Sequence, residues 1–115
     1  GGSPVKYNRS VVMEKVIRDG LVAVLYSPGF GAGWFTWNTE HEQILFHPKI
    51  VEMVESGRRN ELTKEWVLKN LGIDIYTGGA ENLEITWLRE GQAFRIEEYD
   101  GSESVITVED LVMIA

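Results

Sequence analysis

The chain has 115 residues, 43% of them hydrophobic, and no cysteine, which implies a globular domain of ordinary size and excludes a disulfide framework or a thiolate metal site. Its formal net charge is −7, and the excess lies at one end: residues 1–80 hold nine basic and nine acidic residues, whereas residues 81–115 hold nine acidic residues against Arg89 and Arg95 alone. An acidic C-terminal third repels phosphate backbones, which argues against direct binding of nucleic acid.

Apolar runs such as Leu21–Tyr26 are too short to span a bilayer. No basic stretch leads into an apolar one at the N-terminus, so neither a membrane segment nor a signal peptide is expected. With no cysteine to oxidise, a cytoplasmic location is the expectation. Gly1-Gly2-Ser3 reads as a tag remnant, so residues 1–4 are set apart from a single domain over residues 5–115.

The first pattern is a hairpin. Val11–Ile17 runs into Arg18-Asp19-Gly20, and Leu21–Tyr26 follows; Asp-Gly between two β-rich runs accepts the positive φ that a tight turn requires. Leu21–Tyr26 is apolar at successive positions, as in a central strand covered on both faces. Ser27-Pro28-Gly29-Phe30-Gly31-Ala32-Gly33 then breaks regular structure. Thr39 and Glu42 have capping-box spacing, predicting a short helix over 40–46. Pro48 suits the first turn of a second helix, with Ile50, Val51 and Val54 on one stripe and Gly57 at its end. Asn60 is placed to cap a third, with Leu62, Trp66, Val67, Leu68 and Leu71 inward and Gly72 closing it.

The last third reads as a β-meander. Leu83, Ile85 and Trp87 alternate with polar residues, Glu90-Gly91 turns, Phe94 to Tyr99 follows, and Asp100-Gly101 turns again into Val105–Val108. Leu111–Ile114 reads as a final strand. The predicted class is α+β: an N-terminal β-hairpin, two to three central helices and a C-terminal antiparallel meander, one sheet with helices packed on one face.

The glycine loop is the most unusual segment. Its backbone N–H groups suit an anion nest, although Gly29-Phe30-Gly31-Ala32-Gly33-Trp34 is neither a P-loop nor a dinucleotide fingerprint. Large rings crowd beside it, and Trp and Tyr enrich binding surfaces because they bury large area while keeping a polar handle. Tyr76-Thr77-Gly78-Gly79-Ala80-Glu81-Asn82 is a second glycine loop, and the two frame a shared pocket if they meet at one end of the sheet. The candidate binding residues are therefore Gly29, Phe30, Gly31, Gly33, Trp34, Trp37, Tyr76, Gly78 and Gly79.

His41 and His47 are the only histidines. Their spacing does not match helical metal ligands, and no nucleophile motif accompanies them, so no metal, cofactor or catalytic residue is assigned. Arg58-Arg59 is explained by its place at a helix C-terminus.

The runs Ser27–Trp34, Tyr76–Glu81 and Phe94–Glu103 are similar to those of small uncharacterised proteins of phages and mobile elements. That resemblance implies an accessory or host-interaction role and no particular activity. The expected function is a non-enzymatic interaction domain that binds a protein partner or a small ligand through the glycine and aromatic loop. One alternative is an acidic mimic of nucleic acid, with Glu97, Glu98, Asp100 and Glu103 facing a basic groove. The other is an enzyme that pairs His41 or His47 with a carboxylate.

Overall fold

Strand β2 (Leu21–Tyr26) buries Val22, Ala23, Val24 and Leu25 in succession, and the architecture follows from covering both of its faces. The computed structural model describes residues 13–29 and 33–107. Within them, β1 (Ile17–Arg18), β2 and β3 (Glu84–Arg89) form an antiparallel sheet in the order β1-β2-β3. Strands β4 (Phe94–Tyr99) and β5 (Ser102–Thr107) form a separate antiparallel pair.

Successive strand residues point to opposite faces. Ala23 and Leu25, with Ile85 and Trp87 of β3 on the same face, pack against Ile50, Val51, Val54 and Val67 of the helices. Val22 and Val24 face the other way, toward Phe46, Leu88, Phe94, Ile96 and Val105. The result is three layers: helices, a three-stranded sheet and a β-hairpin. The predicted single sheet with a continuous meander is thereby corrected. After the Glu90-Gly91 turn the chain leaves the first sheet, because one face of β2 would otherwise stand in water, and β4–β5 covers it.

Both Asp-Gly pairs make the turns expected of them. Asp19 and Gly20 have φ of 52° and 77°, and Asp100 and Gly101 have 52° and 85°, the paired positive values of a type I′ turn. Two-residue loops follow, with Arg18 opposite Leu21 and Tyr99 opposite Ser102. Val11 and Val12, and the strand predicted at Leu111–Ile114, lie outside the described residues.

Two α-helices form. Helix α1 (Pro48–Glu55) starts on Pro48, with His47 Nδ1 accepting from Lys49 N at 3.2 Å. It ends in a Schellman arrangement, Arg58 N donating to Met53 O and Gly57 N to Val54 O, with Gly57 at φ 74°. Helix α2 (Lys64–Leu71) is capped by Thr63, whose hydroxyl accepts from Trp66 N at 3.1 Å. Asn60 instead lies in a 3-10 turn, Arg59–Glu61. Val67 and Leu71, four residues apart, face the core, whereas Leu68, expected inward but about 100° round the helix from Val67, is exposed. The helix expected over 40–46 is a 3-10 turn, Glu42–Leu45, with no side-chain cap. His41 N donates to Asn38 O at 2.9 Å, closing the chain into a tight turn before a capping box forms. Arg18 joins β1 to α1 through two hydrogen bonds to Glu55, at 2.7 and 2.8 Å.

Two tests follow. A Cβ at Gly20 meets nothing within 4 Å, so Gly20→Ala isolates backbone strain; chemical denaturation should show a loss of about 1–2 kcal/mol, and Gly20→Asn a smaller one. His47 titrates below the ordinary imidazole range, chiefly because burial disfavours its cation; Glu14 opposes this and Lys49 adds to it. The folded pKa therefore lies below the unfolded one. The stability this gives is complete above the unfolded value of about 6.5 and is lost as pH falls through the lower folded value. Denaturation between pH 7.5 and 5 should show a loss that His47→Asn removes.

Candidate functional site

Immediately after β2 the backbone enters the first glycine loop, and a buried carboxylate holds the loop's two ends. Glu103, 1% exposed, is the second residue of β5. Its Oε1 accepts from Ser27 N at 2.9 Å. Its Oε2 accepts from Trp34 N at 2.9 Å, Thr36 N at 2.9 Å and Thr36 Oγ1 at 2.8 Å. Its own N–H donates to Ser27 O at 2.8 Å, and Ser102 Oγ donates to Pro28 O at 2.7 Å. The donors that Glu103 collects belong to Ser27, Trp34 and Thr36, on either side of the glycines, and not to the glycines expected to form an anion nest.

Trp34, expected as a binding anchor, is 0% exposed. It packs in the core beneath the helices, its indole N–H donating to Ile44 O at 3.0 Å. Trp37 has the opposite fate. It is 50% exposed and stacks on Tyr76, 49% exposed, with ring centroids 5.2 Å apart and planes 21° from parallel. The two glycine loops therefore meet.

Asn38 joins them through its side chain. Its amide donates to Trp34 O and Tyr76 O, each at 2.8 Å, and accepts from Tyr76 N at 2.9 Å. Ser27 Oγ adds a bond to Gly79 O at 2.7 Å.

Three glycines sit where a Cβ would collide with a neighbour: on Gly33 it would lie 2.4 Å from Thr36 Oγ1 and 2.5 Å from Trp37 Cδ1, on Gly78 2.5 Å from the Tyr76 ring, and on Gly29, across the two loops, 2.2 Å from Asn82 Nδ2. Gly79 is buried. Phe30 and Gly31 lie outside the described residues.

Two depressions flank the junction. One, of about 450 Å3, is lined by Tyr76, Thr77, Gly78, Asn38 and the ion-paired Lys64 and Asp74, 3.3 Å apart. The other, of about 360 Å3, lies between the loops and is lined by Pro28, Gly29, Arg59, Glu81, Asn82 and Glu84.

The acids of the nucleic-acid-mimic reading are largely engaged within the chain. Glu103 is buried, Glu97 pairs with Arg95, and Glu98 accepts from Gly101 N at 2.6 Å. Neither histidine belongs to a cluster able to hold a metal among the described residues, and His47 serves as a helix cap. No helix among the described residues is long and apolar enough to cross a membrane.

Asn38 is not singled out by the sequence, whereas Glu103 reads there as an acid facing a basic groove and Arg59 as a charge at a helix terminus. The signal for Glu103 was present: alternation along β5 puts it on the same face as Val105 and Thr107, so a carboxylate there points where apolar side chains go.

Glu103→Gln keeps the shape but turns an amide donor toward backbone N–H groups. Hydrogen bonds to a charged group contribute about 1.5–3 kcal/mol each. Urea unfolding should therefore show a loss of at least about 2 kcal/mol, and Glu103→Asp, one methylene short, should not restore it.

No protein-family model, no curated protein and no solved structure matches this chain.

Proposed function

We propose that the chain is a non-enzymatic interaction domain that takes a basic segment of a protein partner on the Trp37–Tyr76 pair. The observation that carries this reading is the exposure of the pair: two large rings, each about half in water, on a surface where burying such side chains is favourable by about 1.5–3 kcal/mol apiece.

The sign of the partner follows from the surroundings. No Lys or Arg occurs between Asp19 and Pro48. Glu40 and Glu42 are both exposed just beyond Trp37. Strand β4, which runs beside the 35–37 turn, carries Glu97 and Glu98 against Arg95 alone. An arginine or lysine laid on the outer ring face gains a cation–π contact of about 0.5–1 kcal/mol at an exposed site, and the net charge of −7 speeds its approach at low salt.

The accessory role implied by the resemblance to small phage and mobile-element proteins has the same requirement, a compact surface that occupies part of a larger partner. Enzymatic readings gain less support. They need a histidine beside a carboxylate in a cleft, and neither depression at the loop junction is lined by His41 or His47.

The test uses isotope-labelled chain titrated with an arginine-rich peptide and, separately, with its glutamate counterpart. The Trp37 indole N–H resonance should move with the first and not the second. Trp37→Ala with Tyr76→Ala should abolish the binding while leaving the melting temperature within a few degrees. Equal responses to both peptides, or undiminished binding by the double variant, would refute the proposal.

A further inference from the structure

The cleft between the glycine loops carries three charged side chains, Arg59, Glu81 and Glu84. None of them forms an ion pair with another among the described residues. Arg59 is held from behind: its Nε donates to Leu83 O at 2.7 Å, which fixes the guanidinium plane. Its two terminal nitrogens have no partner among the described residues. Glu84 accepts from Tyr26 OH at 3.3 Å through one oxygen. Glu81 is exposed at the cleft edge. The close seat of the Asn82 amide on Gly29 leaves no room for a side chain there.

The signs of these charges select the ligand. A simple anion would meet Arg59 but also two carboxylates. A simple cation would meet the carboxylates but also the guanidinium. A group bearing both charges finds a partner of opposite sign for each. We infer that the cleft binds a free α-amino acid, its carboxylate accepting from the terminal nitrogens of Arg59 and its ammonium donating to Glu81 and Glu84.

A planar guanidinium with both ends available is the geometry that grips a carboxylate in two parallel bonds. The volume of about 360 Å3 falls within the range of small-ligand sites, roughly 300–1,000 Å3. Pro28 offers an apolar wall for an amino-acid side chain. This cleft shares no lining residue with the depression beside Tyr76, so the inference is independent of the aromatic docking surface.

The experiment titrates the labelled chain with glycine and L-glutamine, and in parallel with N-acetylglycine, which lacks the ammonium, and glycinamide, which lacks the carboxylate. The free amino acids should give saturable shifts at the Gly29 and Asn82 amides. Each single-charge analogue should bind at least about tenfold more weakly, the effect of losing one charge-assisted contact. Arg59→Lys should weaken binding about tenfold. Glu81→Gln, at an exposed position, should weaken it without disturbing the fold. Trp37→Ala should leave it unchanged. No saturable shift with either amino acid, or an analogue binding as tightly as its parent, would overturn the inference.

Discussion

The carboxylate of Glu103 is the interaction on which the arrangement of this surface depends. A buried charge is costly unless its lone pairs are engaged, and here four donors from Ser27, Trp34 and Thr36 converge on the two oxygens. All three residues flank one loop, whereas Glu103 arrives from the far hairpin. The carboxylate therefore does what a strand pair cannot. It gives the backbone N–H groups of Ser27, Trp34 and Thr36, which lie outside the strands, a common acceptor, and it fixes β5 to the exit of β2. Because Trp34 N and Thr36 N are held on the same oxygen, the chain is fixed where it turns from core to surface. Trp34 goes in and Trp37, three residues on, stays out.

The same hairpin answers a second demand. Strand β2 is hydrophobic on both sides, and a two-sided strand needs two covering layers. The helices supply one. Strands β4 and β5 supply the other through Phe94, Ile96 and Val105. Val105 packs on the core while Glu103, two residues earlier on the same face, collects the loop. One strand face thus carries both the apolar contact and the polar anchor, and β5 cannot shift register by a residue without losing both.

These details sort what was legible in the sequence from what was not. Turns with a single conformational solution were legible: Asp19-Gly20 and Asp100-Gly101 adopt the paired positive φ their residue types favour. So were the start of α1 at Pro48, its Gly57 terminus and the left-handed Gly72. The two-sided burial of β2 was legible as well, but which strands supply the second cover was not. Alternation in β3 and β4 fixes their faces, not their partners, and pairing of neighbours in sequence is only the default. At the site, proximity of the glycine loops was read as a condition, and Trp37 and Tyr76 as candidates. Trp34 was misplaced because two tryptophans three residues apart carry no local signal of which is inside. The sorting comes from Glu103, distant in sequence. Arg59 was assigned to a helix terminus because its partner, Leu83 O, belongs to a segment that local patterns do not connect to it.

The stacked rings of Trp37 and Tyr76 invite a simpler account, in which they merely clamp the two loops together. The polar contacts weigh against it. Asn38 already spans the junction with two hydrogen bonds to the Tyr76 backbone, and Ser27 adds a third to Gly79. Hydrogen bonds of this kind contribute about 0.5–1.5 kcal/mol each, so the junction is secured without the rings. An aromatic pair adds about 0.5–1.5 kcal/mol beyond its buried area, and a clamp gains most when that area is buried, not left half in water. The glycines point the same way. Gly33 and Gly78 exist where a Cβ would strike these rings, so the backbone yields space to hold two aromatic faces at one exposed position. A clamp needs the rings to touch each other. A docking surface needs them to touch and also to remain accessible, and the second condition is the one these residues meet.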